Sequence, residues 1–268
     1  SMILDMYHLN QIPSEAQIKK YIRRILFGKN VFCPLCRSRK VIAEERRYWC
    51  RSCRTRFTLI SHTWLKGMKL SYQKFWMILW CWTTQVPVRQ TVALTRLSEE
   101  TIGHWFDQFR THLPENRRIL ARVVQLDEAY FKRNILLMGK QQGTRNLAYE
   151  MLAAPSAQRH HAAFFLEQYV RPRSRLYTDG ALIYRGINRW WPVRHRYDIH
   201  KKFEFTHTSE IEGVFGNLRT FIRRMYHHAT PEKLPEYVRE FVFRFCSPEL
   251  FSNPHTYLQK SLTLATFD

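Results

Sequence analysis

A chain of 268 residues has material for a sizeable core divided over two or three small units. Its 43 Lys and Arg against 22 Asp and Glu give a formal charge of +21 and a pI near 10.1. Such an excess, spread over most of the chain, calls for a polyanionic partner, because each neutralised phosphate releases counterions. No apolar run approaches the about 18 residues of a membrane span. No basic stretch followed by an apolar run and a small-residue cleavage site marks a secretory signal. The expected location is therefore the cytoplasm, on the nucleoid if the cell is bacterial.

In chain order, Ser14 with Gln17 three residues on is a capping box, and Ile18, Tyr21, Ile22, Ile25 and Leu26 follow at helical spacing until Gly28. Two Cys-x-x-Cys pairs come next, Cys33 with Cys36 and Cys50 with Cys53. Each pair turns tightly enough to present two sulfurs, so the four thiolates predict a tetrahedral, structural zinc site with no open position. The paired spacing also argues for a reducing compartment over disulfides. Cys81 and Cys246 lie in apolar helical contexts and read as core. Short strands are expected at 41–42, 47–49 and 56–58.

Helices are predicted over 71–84, 88–94 and 98–113, the last capped by Ser98. The second and third resemble a helix-turn-helix, although their Trp and Phe residues suit a core as well as base contacts. Pro114 marks a boundary. Strands are expected at 122–130 and 147–153, with a basic loop over 132–145 between them. A further strand at 162–165, a short helix at 166–170 and a strand at 176–178 follow. Long helices close the chain at 210–224 and 235–245.

Three acidic residues stand in contexts that favour convergence: Asp127 and Asp179 at strand ends, and Glu212 early in the helix. Such a set repels itself unless cations lie between its members. Two Mg²⁺ ions suit it, with Mn²⁺ able to substitute. Glu128 follows Asp127 on a strand, so its side chain is expected on the opposite face. Glu210 is roughly 200° around the helix from Glu212, so only one of the two can face the metals. Glu212 is favoured because Arg219 lies two turns later on nearly the same face. Lys132 and Lys140 of the basic loop, with Arg219 and Arg223, are the candidate DNA contacts. A solvated charged helix face is the other reading of these residues.

The cysteine block with Tyr48 to Phe57, the segment Leu126 to Tyr130, Thr178-Asp-Gly180 and His207 to Gly213 together resemble a known family. So does the segment Glu236 to Phe245. They are similar to the zinc ribbon, acidic blocks and closing helix of Merlin-related bacterial insertion-sequence DDE transposases. The resemblance covers roughly residues 14–246. It implies an α/β chain made of an N-terminal helix (1–30), a zinc ribbon (31–62), a helical, helix-turn-helix-like DNA-binding segment (63–115) and an RNase H-like domain with a mixed sheet (116–268). It implies binding of terminal inverted repeats in double-stranded DNA, cleavage of transposon ends and joining of the 3′-hydroxyls to target DNA, by a homo-oligomer of at least two chains. Ser209 stands where many relatives carry Asn, which leaves the third ligand open between Glu212 and its neighbours. A DNA-binding regulator without catalysis and a metal-dependent nuclease without strand transfer are the alternatives.

Overall fold

Reciprocal capping starts the first helix, α1 (Glu15–Phe27): Ser14 Oγ accepts from Gln17 N at 3.3 Å and Gln17 Oε1 accepts from Ser14 N at 2.8 Å. In this computed structural model, residues 12–115, 117–197 and 208–265 are described. They fall into two units, 1–114 with 249–268 and 115–248. In the first unit, β1 (Val41–Ala43), β2 (Tyr48–Cys50) and β3 (Arg56–Phe57) form an antiparallel sheet in that order. Helix α2 (Tyr72–Thr83) is capped twice. Ser71 Oγ accepts from Lys74 N, and the Glu15 carboxylate of α1 accepts from Tyr72 N and Gln73 N at 3.1 and 3.0 Å. That places a negative charge at the positive end of the helix dipole.

Helices α3 (Val88–Thr95) and α4 (Glu99–Thr111) are joined by a short turn. Arg96 adopts a left-handed backbone in it, and Ser98 Oγ caps Thr101 N at 3.1 Å. The aromatic residues of α4 are interior: Trp105, Phe106 and Phe109 are buried, and Phe109 packs edge-on to Phe75 of α2. The C-terminal helix Pro254–Ser261 closes this core, its Tyr257 hydroxyl donating to Phe109 O at 2.9 Å.

The second unit is built on a five-stranded mixed sheet of β4 (Val123–Phe131), β5 (Asn134–Gln141), β6 (Leu147–Leu152), β7 (Arg175–Thr178) and β8 (Arg194–Tyr197). Its order is β6-β5-β4-β7-β8, antiparallel from β6 to β4 and parallel from β4 to β8. Alternate residues of β4 separate its faces. Val124 and Leu126 join Phe165 and Leu166 of α5 (Arg159–Tyr169) in one core, whereas Gln125 Oε1 accepts from Ile211 N of α6 (Ser209–Tyr226) at 3.0 Å. Helix α7 (Leu234–Cys246) lies against β6.

Two sequence expectations change here. Residues expected as a basic loop form β5, the strand next to β4. It is buried on both faces from Ile135 to Lys140, so the polar-apolar alternation that marks a half-exposed strand is missing. Gly139 is needed at its crossing with the core, since a Cβ there would lie 2.8 Å from Leu120 Cδ1 and 3.0 Å from Phe165. Residues 162–165, expected as a strand, belong to α5 instead, with Ala162, Phe165 and Leu166 on its buried stripe.

Candidate active site

Asp127 sits on β4 opposite Met138 of β5, on the strand face that meets α6. On the other edge of β4, pairing with β7 ends at Gln125↔Tyr177, and β7 itself ends at Thr178. The next residue, Asp179, is held by a turn in which its Oδ1 accepts from Ala181 N at 3.0 Å. The two aspartates thus meet where the sheet runs out of partners.

Glu128 joins them, against expectation. One carboxylate oxygen from each of Asp127, Glu128 and Asp179 lies within 4.8 Å of the other two. Alternation does send the Glu128 side chain toward the other face, where the buried Tyr184 hydroxyl donates to its Oε2. With β7 finished alongside, the longer side chain reaches around the strand edge to the aspartates. Only the length of β7 reveals this, and the local sequence carries no sign of it.

Crowding is visible in the electrostatics. Burial, then the charge of Glu128, and further Asp179 and Glu212, push the Asp127 carboxyl up to about 7, against a backbone hydrogen bond from Glu128 N. Burial also raises Glu128, opposed by its Tyr184 bond. The donor set is all hard oxygen and carries excess negative charge, which fits a divalent cation.

The two candidate glutamates of α6 part company. Glu210 binds the Lys140 ammonium at 2.6 Å and accepts from Gly143 N at 3.1 Å. Burial works against its charge, but these partners hold it below the usual carboxylate range. Glu212 is exposed, accepts from Thr208 Oγ1 at 3.1 Å, and is close enough to Asp127 to raise it.

Lys140 is consequently not the free phosphate contact expected of it. It is 6% exposed and tied to Glu210, to Thr144 O at 2.7 Å and to the Phe245 ring. Its place on buried β5 is the reason: a cation there needs internal partners. Lys132, Arg219 and Arg223 are exposed and line one cavity between the end of β4 and the second half of α6.

In the first unit the four cysteines meet as well, each offering a sulfur within 4.8 Å of the rest. Cys33–Cys53 and Cys36–Cys50 sulfurs are 3.5 and 3.6 Å apart. A tetrahedron of bonds near 2.3 Å has edges of about 3.8 Å, so the set fits zinc. Both knuckles are built alike: Arg37 and Arg54, each directly after the second cysteine of its pair, take φ of 60° and turn the chain back. The thiols are unequal. Burial pushes Cys33 up to about 12, whereas hydrogen bonding to Thr55 brings exposed Cys53 down to about 6.

Among the described residues no helix is long and apolar enough to cross a membrane. Residues 119–246, which include all the acidic candidates, match the ISXO2-like transposase domain. Over 285 aligned positions the chain is also 20% identical to an uncharacterized protein in transposable element ISH50 of Halobacterium salinarum, an alignment covering 93% of this chain and 96% of that protein. The domain match spans β4 through α7, so the sheet, the acidic cluster and both helices beside it are the parts in which the chain is similar to an insertion-sequence transposase domain.

Proposed function

We propose that the chain is a DDE-type transposase that binds terminal inverted repeats, cleaves transposon ends and joins their 3′-hydroxyls to target DNA. The observation that carries this reading is the convergence of Asp127, Asp179 and Glu128 where β7 ends beside central β4, with Glu212 presented from the helix that Gln125 docks beside them. The order β6-β5-β4-β7-β8, antiparallel on one side of β4 and parallel on the other, supports an RNase H-like domain over 115–248, shorter than the 116–268 expected because 249–268 belong with the first unit. The preceding segments are read as an N-terminal helix (1–30), a zinc ribbon (31–62) and a helix-turn-helix-like DNA-binding segment (63–115).

Asp127, Asp179 and Glu212, with Glu128 added, would hold two Mg²⁺ ions, or Mn²⁺ in their place. When bound, such a pair supplies an activated oxygen nucleophile and charge for the leaving oxygen. The chain's own residues do the positioning. Lys140, through Glu210, and Gln125, through Ile211 N, pin the start of α6 so that Glu212 is presented toward Asp127. Tyr184 holds one oxygen of Glu128 and orients the other. Arg219, Arg223 and Lys132 bind backbone phosphates leading into the site. Cys33, Cys36, Cys50 and Cys53 would hold a structural zinc that shapes the N-terminal ribbon for end recognition. Two ends must be brought together for joining, so the working form is at least a dimer on DNA, acting in the cytoplasm.

Strand transfer of inverted-repeat end DNA in Mg²⁺ tests the reading. Wild type is expected to give joined product, and Asp127→Asn, Asp179→Asn and Glu212→Gln to give none while still binding DNA. Cleavage that survives in either aspartate variant would overturn the site. Activity surviving in Glu212→Gln alone moves the third ligand to a neighbour. Cut but unjoined DNA indicates a nuclease, and intact bound DNA a regulator.

A further inference from the structure

The β4–β5 hairpin tip and the second half of α6 enclose a cavity of about 260 Å³, lined by Phe131, Lys132, Arg219, Ile222, Arg223 and His227 among others. Its chemistry is mixed in a specific way. The half-buried Phe131 ring carries the Arg219 guanidinium 5.8 Å from its centroid, and Ile222 supplies an apolar wall. Three cations line it and, among the described residues, no carboxylate does. An aromatic face beside unbalanced cations is the composition that takes a base by stacking and its phosphate by charge.

Position links this cavity to the acidic cluster. Phe131 lies four residues beyond Asp127 on the same face of β4, about 13 Å at the usual strand rise. Arg219 lies seven residues beyond Glu212 on α6, about 10 Å. Both elements therefore run from the carboxylates to the cavity, over a span of about three to four base steps of B-form DNA. The volume, a little below the roughly 300–1,000 Å³ typical of drug-sized sites, suits one planar base. The cavity is also built, not incidental. Asn134 Nδ2 donates to Pro231 O at 2.7 Å, tying the hairpin to the connection after α6. Two of its lining residues, Lys132 and His227, hold left-handed backbones, with φ of 47° and 61°.

We infer that this cavity receives one unstacked nucleotide of the DNA strand whose nearby phosphodiester is held at the acidic cluster. The inference rests on the reading of this unit as a DNA-processing domain, but it can fail separately. The test uses the full chain without divalent cation and a single-stranded oligonucleotide of five residues, with 2-aminopurine at its centre among thymines. Stacking on Phe131 should quench the probe in wild type. Phe131→Ala should lose the quench and bind about 5- to 150-fold more weakly, the range of one lost aromatic stack. Phe131→Trp should retain the quench. Arg219→Gln and Lys132→Gln alter exposed side chains that leave the fold intact, and each should weaken binding and flatten its salt dependence.

Quench and affinity equal to wild type in Phe131→Ala and in Arg219→Gln would overturn the inference. If the alanine variant fails to fold, the two exposed variants decide alone. Asp127→Asn should keep the full quench, so the cavity stands if no cleavage is ever found. Cleavage with an unquenched wild-type probe would remove the cavity and leave the transposase reading in place.

Discussion

The cysteine cluster and the acidic cluster each bring like groups within 4.8 Å of one another, yet by opposite routes. The thiols come from positions at most 20 apart, on two knuckles that the backbone closes for itself. The carboxylates come from a strand and from the turn after another strand, with Asp127 and Asp179 separated by 52 positions. A local cluster can be organised by its own metal, because a bound zinc is the reason its loops fold. A non-local cluster must be imposed by the rest of the domain, and the domain bears the repulsion when no cation is present.

Breaking the first cluster should give the largest effect. Structural zinc contributes about 10–16 kcal/mol of apparent binding free energy at pH 7. Cys50→Ser or prolonged chelation should therefore unfold the ribbon, seen as lost amide protection over β1 to β3, and abolish inverted-repeat binding. Mass spectrometry of the native protein should find one zinc per chain. Unchanged end binding by zinc-free protein would contradict the role given to this cluster.

The acidic cluster should respond in the reverse sense. The Asp127 carboxyl titrates near 7 in the folded chain against 3.8 as its ordinary value. Between about pH 4 and pH 7 the folded state keeps a proton that the unfolded chain has lost, so this group's contribution to stability falls as pH rises through that window. The limit is roughly 4 kcal/mol, from about three pK units. Asp127→Asn stays neutral and should raise Tm by several degrees at pH 8 without divalent cation, while showing less slope below pH 7 and less stabilisation by Mg²⁺. A variant less stable than wild type under those conditions would refute the crowding. Inactivation with gained stability is the mark of a site held together against its own charge.

A smaller effect sharpens how the helix is placed. Glu210→Ala strands the buried Lys140 ammonium and should cost about 3 kcal/mol, whereas Lys140→Met leaves a half-exposed carboxylate and should cost about 1 kcal/mol. Chemical denaturation measures both. If the clamp only positions Glu212, each variant should lower turnover more than DNA affinity. Equal loss of both would return Lys140 to phosphate binding.

Sequence alone determined what local rules govern. The capping box at Ser14, the cysteine knuckles, the amphipathic stripe of α6 and the end of β7 before Asp179 depend on neighbours within a few residues, and local pattern reports them, whereas Asp127, expected at a strand end, lies in the middle of β4. Tertiary structure decided the rest. Burial on both faces hid β5 among basic residues, because a central strand has no polar side to alternate. The end of β7 let Glu128 turn into the acidic cluster, and the pairing of Lys140 with Glu210 took a basic residue out of the surface and oriented α6. Each of these depends on where a distant segment stops or docks. The apolar and charged pattern of a single segment does not contain that position, since it is set by packing among elements far apart in the chain.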